Sequence, residues 1–291
     1  MRKTPAGASL TIVAALSALV SAAPQSRTDP AAVGPLPARR LPQIEPLDGS
    51  RTIQRFLSRG DDHRYQLALA AGECVSVVVE QHGVDVVVQT RHAAGDEIAL
   101  YDDEIGVRGE ERIELVADSQ GTYTVAIKAS PFQVAEGSYA IRVAGHRRAT
   151  EADRALQEAR RLRTTAAKLE SAGRFNDARA TFERALSLAE PLLGRDDPFV
   201  AILTFQLGGN ALEMRDDARA RSLYERAIAT FERLWGAEHP YTAMARSRLA
   251  VVDQHTGQGP KAEAAIQQAM STLERTVSAA HLWYAQCLIS L

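Results

Sequence analysis

The sequence predicts a chain of two unlike domains, multidomain all-β plus all-α: an antiparallel β-sandwich (jelly-roll-like) followed by an α-solenoid of helical hairpins. Three observations carry that expectation. Between about residues 44 and 145 the apolar residues recur with period two and are broken by Gly, Asp and Ser, the mark of short strands half buried on one face. From Thr150 onward Ala, Leu, Arg and Glu dominate and the apolar spacing becomes helical. The helical part then repeats itself, because "EPLLGRDDPFVA" at 190–201 returns as "ERLWGAEHPYTA" at 232–243, a shift of 42 residues.

A chain of 291 residues, 45% hydrophobic and 24% charged, has room for two ordinary domains and a composition that argues against disorder throughout. Its formal net charge of -2 offers no global attraction for phosphate backbones, so no nucleic-acid partner is expected. Residues 1–22 read as an export signal: Arg2 and Lys3 precede the apolar run "LTIVAALSALV", and "VSA" places small residues at the cleavage positions. The run is short of the roughly 20 residues that span a bilayer and contains Thr11 and Ser17. A cleaved signal therefore predicts an exported protein, periplasmic or extracellular, without stable membrane insertion.

Residues 23–43, rich in proline and poor in large apolar side chains, read as an extended linker. The sandwich is expected over 44–146. Its strands are "TIQRFLS", "HRYQLALAAG", "ECVSVVVEQHG", "VDVVVQTRH", "EIALYDD", "ERIELVA", "GTYTVAIKA" and "GSYAIRVAG". The last two open alike, on Gly121 and Gly137. Glycine there allows a turn with positive φ, and Tyr123 or Tyr139 two residues later covers the end of the core with its hydroxyl reaching water. With "HRYQLALAAGE" and "EQHGVDVVV", these strand starts resemble the pre-peptidase C-terminal type of β-sandwich of secreted bacterial proteins, in particular the variant that precedes tetratricopeptide repeats.

The solenoid is expected over 150–291. At the shift of 42, Ala178 aligns with Ala220 and Ala262, Ala185 with Ala227 and Ala269, and Phe182, Tyr224 and Ile266 fall between them. Small residues let paired helices approach and the large one fills the next turn. Gly194 and Gly236 stop one helix, and Pro198 and Pro240 start the next. This pattern, with "LWGAEHPYTA" and "RLAVVDQHTGQGPKAEAAIQQAM", resembles the kinesin-light-chain type of tetratricopeptide repeat, about three repeats plus the first helix of a fourth. Arg215 stands where Gly173 and Gly257 occur, and Ser278 and Leu282 replace the glycine and proline of the third turn.

The resemblance implies a protein or peptide ligand held along the first helices of successive hairpins. Extrapolating the register places Arg163 and Glu170 there in the first hairpin, Phe205, Gln206 and Gly209 in the second, and Ser247, Arg248 and Gln254 in the third. The arginines suit acidic side chains or a terminal carboxylate and Phe205 suits an aromatic anchor. The alternative is that Phe205 is interhelical core and the arginines are solvated.

Catalytic signatures are absent: there is no nucleophile elbow, no zinc-binding His-Glu-x-x-His and no phosphate loop, so neither enzyme activity nor a cofactor is expected. His239 and His281 recur at one repeat position and read as turn imidazoles capping helix ends. The acidic residues Asp96, Glu97, Asp102, Asp103, Glu104, Glu110 and Glu111 read as a solvated edge, with a calcium loop as the alternative. Cys74 and Cys287, in different domains, are expected as free buried thiols.

The final stretch, "HLWYAQCLISL", carries Leu282, Trp283, Leu288, Ile289 and Leu291, an apolar helix suited to self-association or to further repeats. The resembled bacterial proteins commonly continue into a caspase-like CHAT domain. Two expectations follow: an exported scaffold that binds a protein partner with the sandwich as an accessory or targeting module, or the regulatory portion of a secreted CHAT-type cysteine protease.

Overall fold

In the computed structural model, residues 44–49, 51–92, 95–103, 108–130, 136–277 and 282–290 are described. The expected signal and linker, together with Glu104, Ser278, His281 and Leu291, lie outside them, as does the Leu282 side chain.

All eight expected strands form, and a ninth precedes them. One sheet is ordered β1 (Ile44–Pro46), β3 (Asp62–Leu69), β8 (Gly121–Ala129), β5 (Val86–Arg91), β6 (Glu97–Tyr101); the other is ordered β2 (Ile53–Leu57), β9 (Gly137–Arg148), β4 (Glu73–His82), β7 (Arg108–Val116). The pairing is antiparallel except that β1 runs parallel to β3, with Glu45 opposite Tyr65. Period-two patterning explains the burial: β3 buries Tyr65, Leu67 and Leu69 and turns Gln66 and Ala68 outward. Both sheets contribute to one core, in which Val77, Val79, Ile113, Ile127 and Tyr139 are fully buried.

The twin glycine starts differ from expectation. Neither Gly121 nor Gly137 has positive φ. Gly137 serves close approach instead: a Cβ there would stand 2.6 Å from the Gly83 carbonyl carbon and 2.6 Å from the His82 carbonyl oxygen, whereas one on Gly121 would meet nothing within 4 Å. The tyrosines that follow also turn inward. Tyr123 hydroxyl donates to the Ser119 carbonyl at 2.8 Å, and Tyr139 hydroxyl meets Tyr65 hydroxyl at 2.6 Å and His63 Nδ1 at 2.8 Å, so burial is matched by hydrogen bonds rather than by water.

Seven helices follow among the described residues: α1 (Glu151–Ser171), α2 (Phe175–Leu193), α3 (Pro198–Glu213), α4 (Asp217–Trp235), α5 (Pro240–His255), α6 (Gly259–Thr276) and α7 (Leu282–Ser290). None of them is long and apolar enough to cross a membrane. The first begins with a capping box, Thr150 and Asp153 each bonding the other's backbone N–H. Asp197 caps α3 at the Phe199 N–H, 2.8 Å away, with Pro198 in the first turn. His239 caps α5 in the same place, its Nδ1 accepting from the Tyr241 N–H at 3.3 Å. Burial lowers its pKa to about 4, which keeps the imidazole neutral and able to accept.

The repeat positions are the packed ones. Ala178, Ala220 and Ala262 are fully buried, as are Ala185 and Ala227, and Phe182, Tyr224 and Ile266 fill the space between them. Gly208 of α3 lies under Tyr224 of α4 so closely that a Cβ would come 2.9 Å from the ring. Gly194 and Gly236, which end α2 and α4, have φ of 84° and 89° with ψ of 166° and 170°, a region open essentially to glycine alone. Outside the core, arginines of one second helix reach the preceding second helix or the turn after it: Arg226 meets Glu190 at 2.9 Å and Arg219 meets Glu183, while Arg233 and Arg275 reach Asp196 and Glu238 in the turns.

Arg215 takes the turn between α3 and α4 at a φ of 60°, where its counterparts Gly173 and Gly257 have 73° and 86°. A side chain in that conformation costs roughly 1 kcal/mol. The exposed Arg215 contact with His255 offsets only part of this. Arg215→Gly is expected to stabilise the solenoid by about 0.5 kcal/mol, read as a higher thermal midpoint; a lower midpoint would show that the His255 contact outweighs the strain.

Candidate functional site

The first helices of the first three hairpins, α1, α3 and α5, carry the side chains that the register assigns to a groove. They occupy four different environments. Arg163 is buried and ion-paired. Phe205 is half-buried among aromatic rings, with centroids 5.8 Å from Tyr224, 6.2 Å from Phe231 and 6.5 Å from Tyr241, so it packs between helices. Ser247 is buried and accepts a hydrogen bond from the Cys287 thiol at 3.1 Å, while Arg248 donates to Gln286 at 2.9 Å and Gln254 to the Ser290 carbonyl at 2.8 Å. These last three therefore join α5 to α7.

Glu170, Gln206 and Gly209 sit near unmet polar groups. Glu170 accepts from Asn210 Nδ2 at 2.9 Å, and burial pushes its carboxyl up to about 7 against that hydrogen bond, with Glu213 adding to the rise. Gln206 Oε1, Asn210 Oδ1 and Tyr224 hydroxyl are enclosed without a hydrogen-bond partner. Gly209 lies beside Tyr224, where a Cβ would stand in ordinary contact with the hydroxyl at 3.7 Å.

The sandwich reaches the same helices. Strand β7 is an edge strand, and the outward N–H and C=O of Val116 are both taken by Gln157 of α1, at 2.8 and 3.1 Å. Gln157 thus acts as an added strand residue and closes an edge that would otherwise be open. Gln157 shares its repeat position with Phe199 and Tyr241, and a polar residue where the other repeats carry rings is a signal the sequence does contain.

Beyond Gln157 the acidic segment after β6 turns into the solenoid. Each oxygen of Asp103 takes one guanidinium, Arg160 at 2.7 Å and Arg163 at 2.9 Å, and its backbone N–H donates to Glu111 at 3.0 Å. Arg160 is held between two rings, 4.4 Å from the Tyr101 centroid and 4.3 Å from that of Phe199. From the third hairpin, Tyr241 hydroxyl points to the Asp102 carbonyl at 3.4 Å. Burial alone would raise the Asp103 pKa, but the two arginines overcome it and hold the carboxyl below its ordinary range. Its neighbour Asp102 is pushed up to about 7, by burial first and then by Asp103, against the pull of Arg163.

The reading of these acidic residues as a solvated edge is thereby corrected for Asp103 and Glu111, which face the solenoid; Glu97 pairs with Lys168 at 3.2 Å, and Glu110 stays exposed beside Arg112. Cys74 and Cys287 are free and buried, and burial, then Glu114, pushes the Cys74 thiol up to about 12. Neither is a reactive nucleophile.

Comparison with known proteins adds the family of the helical part. Two tetratricopeptide-repeat models match, over residues 166–233 and 242–282. Among solved structures the chain is similar to BtubC (BKLC) from P. vanneervenii, at 20% identity and a TM-score of 0.43, over 50% of this chain and 57% of that one. A putative kinesin light chain of Podosopora anserina with nearly identical TPR-like repeats matches at 17% identity and 0.38, over 48% and 64%. The pre-peptidase C-terminal domain of a collagenase from Bacillus anthracis matches at 18% and 0.30, over 36% and 97%. No curated protein matches in sequence. The 42-residue spacing, the buried Ala-large-Ala pattern and the two model matches agree, and the helical part of this chain is a tetratricopeptide-repeat solenoid.

Proposed function

We propose that the protein is an exported scaffold, periplasmic or extracellular, that binds a protein partner through the first helices of its tetratricopeptide repeats, with the sandwich as an accessory or targeting module. The export half of this reading rests on the signal-like residues 1–22. The binding half is carried by one observation: tetratricopeptide-repeat models match residues 166–233 and 242–282, and such an array lines up the first helices of its hairpins for an extended ligand.

The test uses the full chain, immobilised and exposed to envelope extract of its own cells. It is expected to retain a discrete protein, and Gln206→Ala combined with Arg248→Ala, shown to unfold at an unchanged temperature, is expected to lower retention by about tenfold or more. Retention of nothing, or equal retention by the variant, would refute the reading.

A further inference from the structure

Within the proposed scaffold function, on which this inference rests, we infer that Asp102–Asp103 is an internal ligand filling a basic site on the solenoid's first helices, and that the external ligand of that site is an acidic segment of the partner. Three features support it. Arg160 and Arg163, one turn apart on α1, converge on a single carboxylate with one guanidinium per oxygen, the fork geometry by which arginines select carboxylates. The contact is made across hairpins, because Arg160 also lies on Phe199 of α3 and Tyr241 of α5 reaches the Asp102 carbonyl. A short extended acidic segment laid across successive first helices is how such an array takes a ligand.

The acid count also favours an occupant that can leave. Asp102 and Asp103 share the site with Glu111 of β7, against Arg160 and Arg163 of α1; Tyr101 of β6, Asp197 at the start of α3 and Tyr241 of α5 complete the titratable surroundings. Both arginines are already bonded to Asp103. Ionising Asp102 therefore adds a negative charge that has no guanidinium to itself. Its pKa is raised on docking, so its contribution to the docked state is complete below the ordinary carboxylate range and is lost as pH rises through about 7. Between pH 6 and pH 8 this weakens the internal contact by about tenfold.

The experiment measures binding of unlabelled hexaglutamate to the full chain by titration calorimetry at pH 6 and pH 8, with hexalysine as control. The probe is fully ionised at both values. The natural protein is expected to bind hexaglutamate about tenfold more tightly at pH 8 than at pH 6, opposite to the trend set by the protein's growing negative charge. Asp102→Asn, which keeps the tip neutral, is expected to bind weakly at both. Asp103→Asn, which frees the arginine pair, binds tightly at both, and adding Arg163→Gln abolishes the gain. The inference is overturned if hexaglutamate binding is absent or independent of pH in the natural protein and unchanged in Asp102→Asn, a conclusion that stands even if Asp103→Asn unfolds. Continued capture of an envelope protein alongside that result would leave the scaffold reading intact and remove only the acidic ligand.

Discussion

Phe231→Ala is expected to destabilise the solenoid by about 4 kcal/mol, the upper part of the range for emptying a buried aromatic site. Phe231 is fully buried at the junction of the second and third hairpins. It stacks on Trp235 at 5.5 Å and on Tyr241 at 5.1 Å, and meets Phe205 edge-on at 6.2 Å. The ring is enclosed by side chains of three helices, so its removal empties a packed site rather than a surface one. Stability in a repeat array is largely the sum of hairpins and their interfaces, and this substitution removes an interface. Thermal unfolding followed by circular dichroism should show the midpoint falling by about 10 °C. Phe231→Leu, which conserves most of the volume, should lose less than about 1.5 kcal/mol. A loss below about 1 kcal/mol for the alanine variant would mean that the hairpins do not pack through this ring.

Gly137→Ala should cost the sandwich about 3 kcal/mol although it adds one methyl group. The added carbon would stand 2.6 Å from the Gly83 carbonyl carbon, 2.6 Å from the His82 carbonyl oxygen and 2.8 Å from the Val84 nitrogen. All three are backbone atoms, so relief requires shifting the turn between β4 and β5 rather than rotating a side chain. Gly121→Ala is the matched control. It begins the preceding strand in sequence, β8, with the same Gly-x-Tyr pattern, has ordinary φ and faces open space, so its effect should stay within about 0.5 kcal/mol. Equal effects at the two positions, measured by urea unfolding, would contradict the close approach of β9 to that turn.

This pair also shows where sequence reasoning stops. Gly121 and Gly137 are indistinguishable locally, and what separates them is a backbone contact with Gly83, which no pattern along one strand reports. Where the governing contacts are periodic, the sequence was legible: alternation gave the eight main strands and the 42-residue shift gave the helix pairs, stops and restarts. The three-residue β1 was missed because three residues with Pro46 carry no period. The site divides the same way. Register placed Arg163 on a first helix, but its partner Asp103 lies 60 residues earlier in the other domain, in a run whose composition suggested solvent. Gln157 was readable in hindsight as the polar member of the Phe199 and Tyr241 row, although its partner, one backbone peptide edge, leaves no mark in side-chain sequence.

Joining of the two domains through that edge is the claim on which the acidic site depends, because β7 and β6, which Asp103 follows, pack on the same helix α1. The most direct test is amide hydrogen exchange at Val116 in the full chain, resolved by NMR. Its N–H points away from β4 and is bonded only to Gln157 Oε1, at 2.8 Å. Protection comparable to that of the sandwich core, lost by roughly a hundredfold or more in Gln157→Leu while core amides stay protected, is the predicted result. Exchange at the rate of an open edge strand in the natural protein would show that the sandwich and the solenoid are not held together there, and the internal-ligand account would fall with it.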